Sequence, residues 1–302
     1  MKILVYGSLN IDLIFTVDHI VLPGETIASS TLEKSAGGKG ANQAAALAKA
    51  GMDVYMAGKI GADGRFLLEL LGSYGVNTEK VAVYPGATGQ ALIQVEKSGQ
   101  NSIILYAGGN GEIKEDEIDG VLESFGPGDS ILLQNEIPHT GTIMKKAKKR
   151  GMKVIFNPSP YDERIRKLPL EMVDVFFVNE IEGAALAAEA ACVSLPPETP
   201  LPEILDRLTG NFPAAEIILT AGRDGAYYGS GSVRGKGCII ELPVVDTTGA
   251  GDTYTGYYIA AREKQLSVAD SLNLACKAAC IAVSRKGAMQ SMPFKEEVFP
   301  DS

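Results

Sequence analysis

The chain is poor in the side chains that usually hold transition metals. It has two histidines, His19 and His139, and four cysteines, Cys192, Cys238, Cys276 and Cys280, with no C-x-x-C pair. A zinc or iron–sulfur site needs several such ligands close together, so none is expected. Cys276 and Cys280 are four residues apart, hence on one helix face, and read as buried thiols of a reducing compartment. No run reaches the roughly 18 apolar residues of a membrane helix. Asn10 and Asp12 interrupt the apolar start Ile3–Tyr6 too early for a secretory signal. A cytoplasmic protein with no membrane partner is expected.

Positive charge is also scarce, with 28 Lys and Arg against 37 Asp and Glu and a net charge of −9. The one basic block, Lys145-Lys146-Ala147-Lys148-Lys149-Arg150, lies on a predicted helix and reads as a solvated face. Backbone binding of nucleic acid needs a broad positive footprint, so no nucleic-acid partner is expected. An anionic nucleotide can still be held by local donors such as helix N-termini or a metal ion. Two common nucleotide signatures are missing. Gly38-Lys39 and Gly58-Lys59 lack the remaining residues of a P-loop, and no G-x-G-x-x-G follows the first strand. Internal repeats and low-complexity linkers are absent as well.

What remains is an ordinary globular composition, 45% hydrophobic and 22% charged, long enough to bury a sizeable core. Short apolar runs at Ile3–Tyr6, 53–58, Ser130–Gln134, 153–156, 173–178 and 217–220 read as buried strands. Helices are expected at 41–51, where Gly51 supplies the stop, at 65–74 and at 142–150. Strands alternating with helices imply a mostly parallel sheet covered on both faces. One region differs. Gln90–Lys97 alternates polar and apolar residues, turns at Ser98-Gly99-Gln100-Asn101 and returns over Ser102–Tyr106, a hairpin solvated on one side. With Leu13–Ser30 and its Pro23-Gly24-Glu25 turn, it forms a small β appendage. Pro196–Pro200 marks a surface loop. One domain with an insertion is preferred over two domains.

Chemistry concentrates in Asp246-Thr247-Thr248-Gly249-Ala250-Gly251-Asp252, after the apolar stretch Leu242–Val245, itself read as a strand. Gly249 and Gly251 let backbone amides approach an anion, and the helix expected from Thr253 to Arg262 points its positive end there. A carboxylate at Asp252 can take a hydroxyl proton while those amides hold negative charge. The alternative is that Asp252 only caps the helix, and the seven-residue context favours the chemical role. Asn10 and Asp12 share one side of an extended segment and suit a vicinal diol, unless they form an Asx turn. Gly38, Lys39, Gly40 and Asn42 cluster donors and acceptors at a helix start, fit for a polyhydroxylated ligand. Asn179 and Glu182 are spaced as a capping box and are equally able to approach a hydrated Mg²⁺. Thr220-Ala221-Gly222-Arg223-Asp224-Gly225 ends a strand where a nucleotide would dock.

Taken together these residues resemble the PfkB carbohydrate kinase family, and within it the ribokinase branch. Gly7–Asp12, Pro23–Thr26, Gly37–Ala44, Asn179–Glu182, Asp246–Asp252 and Arg285–Ala288 with Ser291 occur in the family's order, over nearly the whole chain. The resemblance implies a three-layer α/β sandwich with a mostly parallel central sheet and a small antiparallel β lid, residues 1–302 forming one domain and the lid spanning roughly 11–34 and 87–106. It implies transfer of the ATP γ-phosphoryl group to the 5-hydroxyl of D-ribose. Asp252 would be the base and Gly249, Ala250 and Gly251 the anion hole. Asn10, Asp12, Gly38, Lys39, Asn42 and Glu136 would hold the sugar. Asn179, Thr220, Gly222, Gly225 and Cys276 would meet the nucleotide, and Glu182 a Mg²⁺ through water. Asp246, Thr248, Ala282, Arg285, Gly287 and Ser291 match the positions that hold a monovalent cation, K⁺, and the lid would pair two subunits. The chain departs from the family at Cys276, where His or Asn is common, and at Met289-Gln290, where Gln-Pro is common. A same-fold kinase for another sugar or a nucleoside, or a catalytically silent sugar sensor, are the alternative readings.

Overall fold

The computed structural model describes residues 1–190, 195–196, 198–237 and 242–299. Cys192, Cys238 and Pro197 lie outside the described residues. The chain runs β1 (Ile3–Tyr6), β2 (Asn10–Val17), β3 (Thr31–Gly37), α1 (Lys39–Lys49), β4 (Val54–Ile60), α2 (Arg65–Ser73), β5 (Asn77–Val83), β6 (Gly89–Glu96) and β7 (Asn101–Tyr106). It continues through α3 (Ile118–Leu122), β8 (Ser130–Gln134), α4 (Thr140–Lys149), β9 (Lys153–Asn157), β10 (Val175–Asn179), α5 (Glu180–Ala190), α6 (Leu201–Asn211), β11 (Glu216–Thr220), β12 (Ala226–Ser230) and β13 (Val233–Lys236). α7 (Ala250–Glu263), α8 (Val268–Val283) and α9 (Lys295–Val298) follow. Among the described residues no helix is long and apolar enough to cross a membrane.

Nine strands form one sheet in the order β13-β12-β11-β10-β9-β8-β1-β4-β5. Neighbours from β5 through β11 pair parallel, and β12 and β13 close one edge antiparallel. Every residue of β1 and β8 is buried, which is why both read as unbroken apolar runs. Their side chains alternate between two cores. Ile3 and Val5 join Leu47, Tyr257 and Leu272 from α1, α7 and α8, while Leu4 and Tyr6 join Ile143, Leu186 and Leu208 from α4, α5 and α6. The result is the expected three-layer sandwich.

The strand order places the site. β1 lies between β4 and β8, so the chain leaves β1 in one direction along the sheet and later continues from its other side. The carboxyl ends of strands at such a switch point leave a crevice. Here that rim carries Gly7–Asn10 after β1 and Gln134–Glu136 at the end of β8. Gly40 sits at this rim in the first turn of α1, and a Cβ there would lie 2.6 Å from Ser8 N and 2.7 Å from Gly7 C. Only glycine lets the helix start this close to the loop.

The appendage is a four-stranded sheet ordered β3-β2-β6-β7. Its outer pairs, β2–β3 and β6–β7, are antiparallel, but the central pair β2–β6 is parallel, with Asn10 opposite Gly89. The sheet is therefore mixed, because both hairpins leave the same rim of the body in the same direction. The α/β segment between them supplies the long crossover that parallel pairing requires. The stretch Leu242–Val245 is not a strand. Leu242, Val244 and Val245 are exposed, and Val245 N–H and Asp246 N–H both donate to Val283 O at the end of α8, at 2.8 and 3.1 Å. Pro243 lacks the N–H that a strand ladder would need.

Candidate active site

α7 begins at Ala250, three residues earlier than the sequence suggests, and its N-cap is Gly249 with φ 75°. A left-handed residue here turns the loop into the helix, a conformation that favours glycine. Ala250 N–H closes that turn on Thr247 O at 3.2 Å. The N–H groups of Gly251 and Asp252 fall in the first helical turn, which has no in-helix acceptors, so they are donors for an anion. A Cβ on Gly251 would meet nothing within 4 Å, so the loop faces open space.

Asp252 is buried and does not cap α7. Its Oδ2 accepts from Asn42 Nδ2 at 3.0 Å and its Oδ1 from Gln43 Nε2 at 2.9 Å, both side chains on α1. The capping alternative is thereby removed. Asn42 Oδ1 is buried without a hydrogen-bond partner among the described residues, the condition of a group that lacks its ligand. Lys39 stands at the start of the same helix. Burial lowers its ammonium pKa, yet the charges of Asp252, Glu136 and Glu182 outweigh that and leave it above the ordinary value. Lys39 N–H also donates to Glu136 Oε2 at 3.1 Å, and the Ser8 hydroxyl donates to the same oxygen.

Asn10 and Asp12 are the first and third residues of β2 and are buried. They are paired strand residues rather than an Asx turn, Asp12 opposite Ser35 and Ala91. Burial, with the neighbouring Glu136 charge, pushes the Asp12 carboxyl up to about 7, and burial also raises Glu136. Asn10 Oδ1 accepts from Asn110 Nδ2 at 2.7 Å, so what Asn10 offers a ligand is its –NH₂.

A cleft of about 260 Å³ opens from Asp252 across the sheet rim. Its walls include Lys39, Asn157, Asn179, Glu182, Thr220 and the Thr247–Asp252 loop. Asn179 and Glu182 do form the capping box, Asn179 N–H donating to Glu182 Oε2 at 3.1 Å and Glu182 N–H to Asn179 Oδ1 at 2.8 Å. Glu182 is nonetheless on the cleft wall, so the cap and a ligand role coexist. A larger hollow of about 390 Å³ lies elsewhere, on the lid, lined by Phe15, Val17, Val21, Leu92 and Ile104 among others. Its lining is mixed, with Glu25, Thr26, Ser29 and Gln94 beside those apolar groups, and it holds none of the Asp246–Asp252 loop.

Of the expected cation-loop residues, Asp246, Thr248 and Gly287 meet, while Ala282, Arg285 and Ser291 make local turn bonds. Asp246 accepts from Thr248 N–H and from Gly287 N–H, each at 2.9 Å. Burial raises its carboxyl, but the Thr248 hydroxyl and amide and the Gly287 amide outweigh it and hold the group below its ordinary value. Arg285 N–H donates to Ala282 O at 3.0 Å, and Ser291 Oγ to Ala288 O at 2.8 Å. The Arg285 guanidinium itself turns away to Glu297.

With this geometry in view, the model of the pfkB family carbohydrate kinases matches residues 1–295. The chain belongs to that family. It is 34% identical over 302 residues to the ribokinase of Lactococcus lactis, covering 98% of this chain and 95% of the relative. The ribokinase of Cryptococcus neoformans in complex with ADP superposes with a TM-score of 0.87 at 34% identity, covering 100% of this chain and 99% of that one. The Arabidopsis thaliana ribokinase complexed with ribose and ATP gives 0.86 at 32% identity, covering 99% and 97%.

Some residues of this pfkB site differ from expectation, and others were missed. Cys276 is buried in the apolar cluster beside Tyr254 and is not on the cleft wall. An α8 position facing α7 packs inward, which the sequence spacing alone does not reveal. Gly222 and Gly225 sit in the turn just beyond Thr220 and are likewise not on that wall. The sequence reading passed over Ser8, Gln43, Asn110, Gln134 and Asn157. Gln134 and Asn157 carried a usable signal, being polar residues that end apolar parallel strands. Asn110 carried none.

Proposed function

We propose that the protein is a ribokinase, transferring the γ-phosphoryl group of ATP to the 5-hydroxyl of D-ribose in the cytoplasm. The observation that carries this reading is Asp252, a buried carboxylate in the first turn of α7, bonded to Asn42 and Gln43 and open to the cleft. In the reaction the sugar hydroxyl attacks phosphorus, the bond to the ADP oxygen breaks, and the hydroxyl proton passes to Asp252. Positioning and charge stabilisation do most of such a transfer. Lys39 and the first-turn amides of Gly251 and Asp252 take up developing negative charge, with Gly249 and Ala250 shaping the turn of the loop. Asn10, Asp12, Asn42 and Glu136 hold the sugar hydroxyls, with Gly38 giving the backbone approach. The β lid closes over the sugar and excludes water that would otherwise hydrolyse ATP. Thr220, on the cleft wall, lies along the nucleotide path.

Glu182 fits an indirect Mg²⁺ role, since a buried carboxylate on the cleft wall suits a hydrated hard cation. The Asp246 loop fits K⁺, because its bonds to Thr248 and Gly287 bring together segments whose backbone carbonyls are hard oxygen donors. When bound, Mg²⁺ would supply charge neutralisation for the phosphoryl group, and K⁺ at the Asp246 loop would steady the anion-hole loop. The homodimer reading is supported by the lid, where Ile103, Ile104, Leu105 and Tyr106 are 52–60% exposed in one run. The test is ADP release across pentoses, hexoses and nucleosides, with and without K⁺. D-Ribose is expected to give the highest kcat/KM, raised by K⁺. A nucleoside or hexose giving a higher value than ribose would overturn the substrate assignment.

A further inference from the structure

We infer that Gln43 is a positioning residue for Asp252, and that Asn157 sets the orientation of its amide. The inference rests on Asp252 being the base. Gln43 is wholly buried and is not on the cleft wall, so it acts through the wall residues it bonds, Asp252 and Asn157.

The orientations follow from one another. Asn157 Nδ2 donates to Phe177 O at 2.9 Å, and a backbone carbonyl can only accept. Asn157 Oδ1 must then face Gln43, and it too can only accept. Gln43 therefore presents Nε2, donating one proton to Asn157 Oδ1 at 3.1 Å and the other to Asp252 Oδ1 at 2.9 Å. Its Oε1 is left to accept from Gln134 Nε2 at 2.6 Å. A carbonyl on β10 thus dictates, through two amides, that a donor rather than an acceptor meets the carboxylate. Were Gln43 turned over, its Oε1 would face Asp252 Oδ1 and Asn157 Oδ1 together, three acceptors with no proton among them.

Asn42 also donates to Asp252, but its role is different. It carries a buried Oδ1 without a partner among the described residues, so it is poised to share its bonds with a sugar hydroxyl. Gln43 has both amide protons and its Oε1 engaged by protein partners. It can keep the Asp252 carboxylate at one rotation while Asn42 adjusts to the sugar.

The test is steady-state kinetics of D-ribose phosphorylation with Gln43→Met, Gln43→Glu and Asn157→Leu, each checked for folding by its thermal transition. Gln43→Met removes the donor at similar volume, and kcat is expected to fall about tenfold to a hundredfold, the scale of a misplaced catalytic group. KM for ribose should stay within about twofold, because the sugar-contacting groups are untouched. Gln43→Glu sets a carboxylate against a carboxylate and should lower kcat further than Met does. Asn157→Leu frees the amide to turn over and should lower kcat with the same unchanged KM; it carries the test if the Gln43 variants do not fold. Folded variants with wild-type kcat, or with kcat and KM changing in parallel, would overturn the inference. Failure of the underlying base assignment shows separately, as normal turnover in Asp252→Asn.

Discussion

Replacing Asp12 by Asn should stabilise the ligand-free protein, and do so only above acidic pH. Burial and Glu136 push the Asp12 carboxyl from 3.8 up to about 7. The folded state therefore favours the protonated form. Below pH 3.8 both folded and unfolded chains hold the proton, and Asp12 costs nothing. Between 3.8 and about 7 the unfolded chain has lost it while the folded chain keeps it, so stability falls as pH rises. Above about 7 the loss is complete and amounts to about 4 kcal/mol by proton linkage. Asparagine keeps the shape and removes the charge, so Asp12→Asn should recover about 2–4 kcal/mol at pH 8 and little at pH 4. Denaturant unfolding without sugar, at pH 4, 6 and 8, measures this difference directly. A stability difference that does not change with pH would refute the reasoning. In the proposed ribokinase reading the same carboxylate accepts sugar hydroxyls, so ribose binding near pH 6.5 should release a proton, visible by calorimetry in buffers of different ionisation enthalpy.

Three further predictions follow from single contacts. Asp252→Asn should lower kcat by about a hundredfold or more while ribose affinity changes little; it also sets an –NH₂ against the Asn42 or Gln43 donor and should cost about 1–3 kcal/mol of stability, read by chemical denaturation. A Cβ added at Gly256 would lie 2.5 Å from Ala46 Cβ and 2.9 Å from the Ala46 and Leu47 backbone, so Gly256→Ala should push α1 from α7 and destabilise by about 1–3 kcal/mol in thermal unfolding. Ile104→Glu puts charge on the exposed lid face, 60% exposed at that position, and should convert a dimer to monomers in sedimentation velocity without unfolding the chain.

Much of the architecture was legible because it rests on local rules. β1, β8 and β9 read as apolar runs since both faces of a central parallel strand are covered. The stop of α1 at Gly51 and the lid turn at Gly99 were equally readable, both glycines having positive φ. Leu242–Val245 misled because an apolar run with proline looks like a strand until it is seen that no strand among the described residues pairs with it. The parallel pairing of β2 with β6 was hidden because it joins residues far apart in the chain, and alternation reports a solvated face but not a partner's direction.

The sequence by itself determined the family, the layered sheet and the Asp246–Asp252 loop as the candidate site. Those depend on glycine placement, residue order and hydrophobic period, which act over a few residues. Only the tertiary structure decided what Asp252 does in its helix and which groups touch it. Gln43, Gln134 and Asn157 come from α1, β8 and β9, and meet because two strand ends and a helix start share one rim. The raised Asp12 carboxyl is of the same kind, since burial and a neighbouring charge exist only after folding has excluded water.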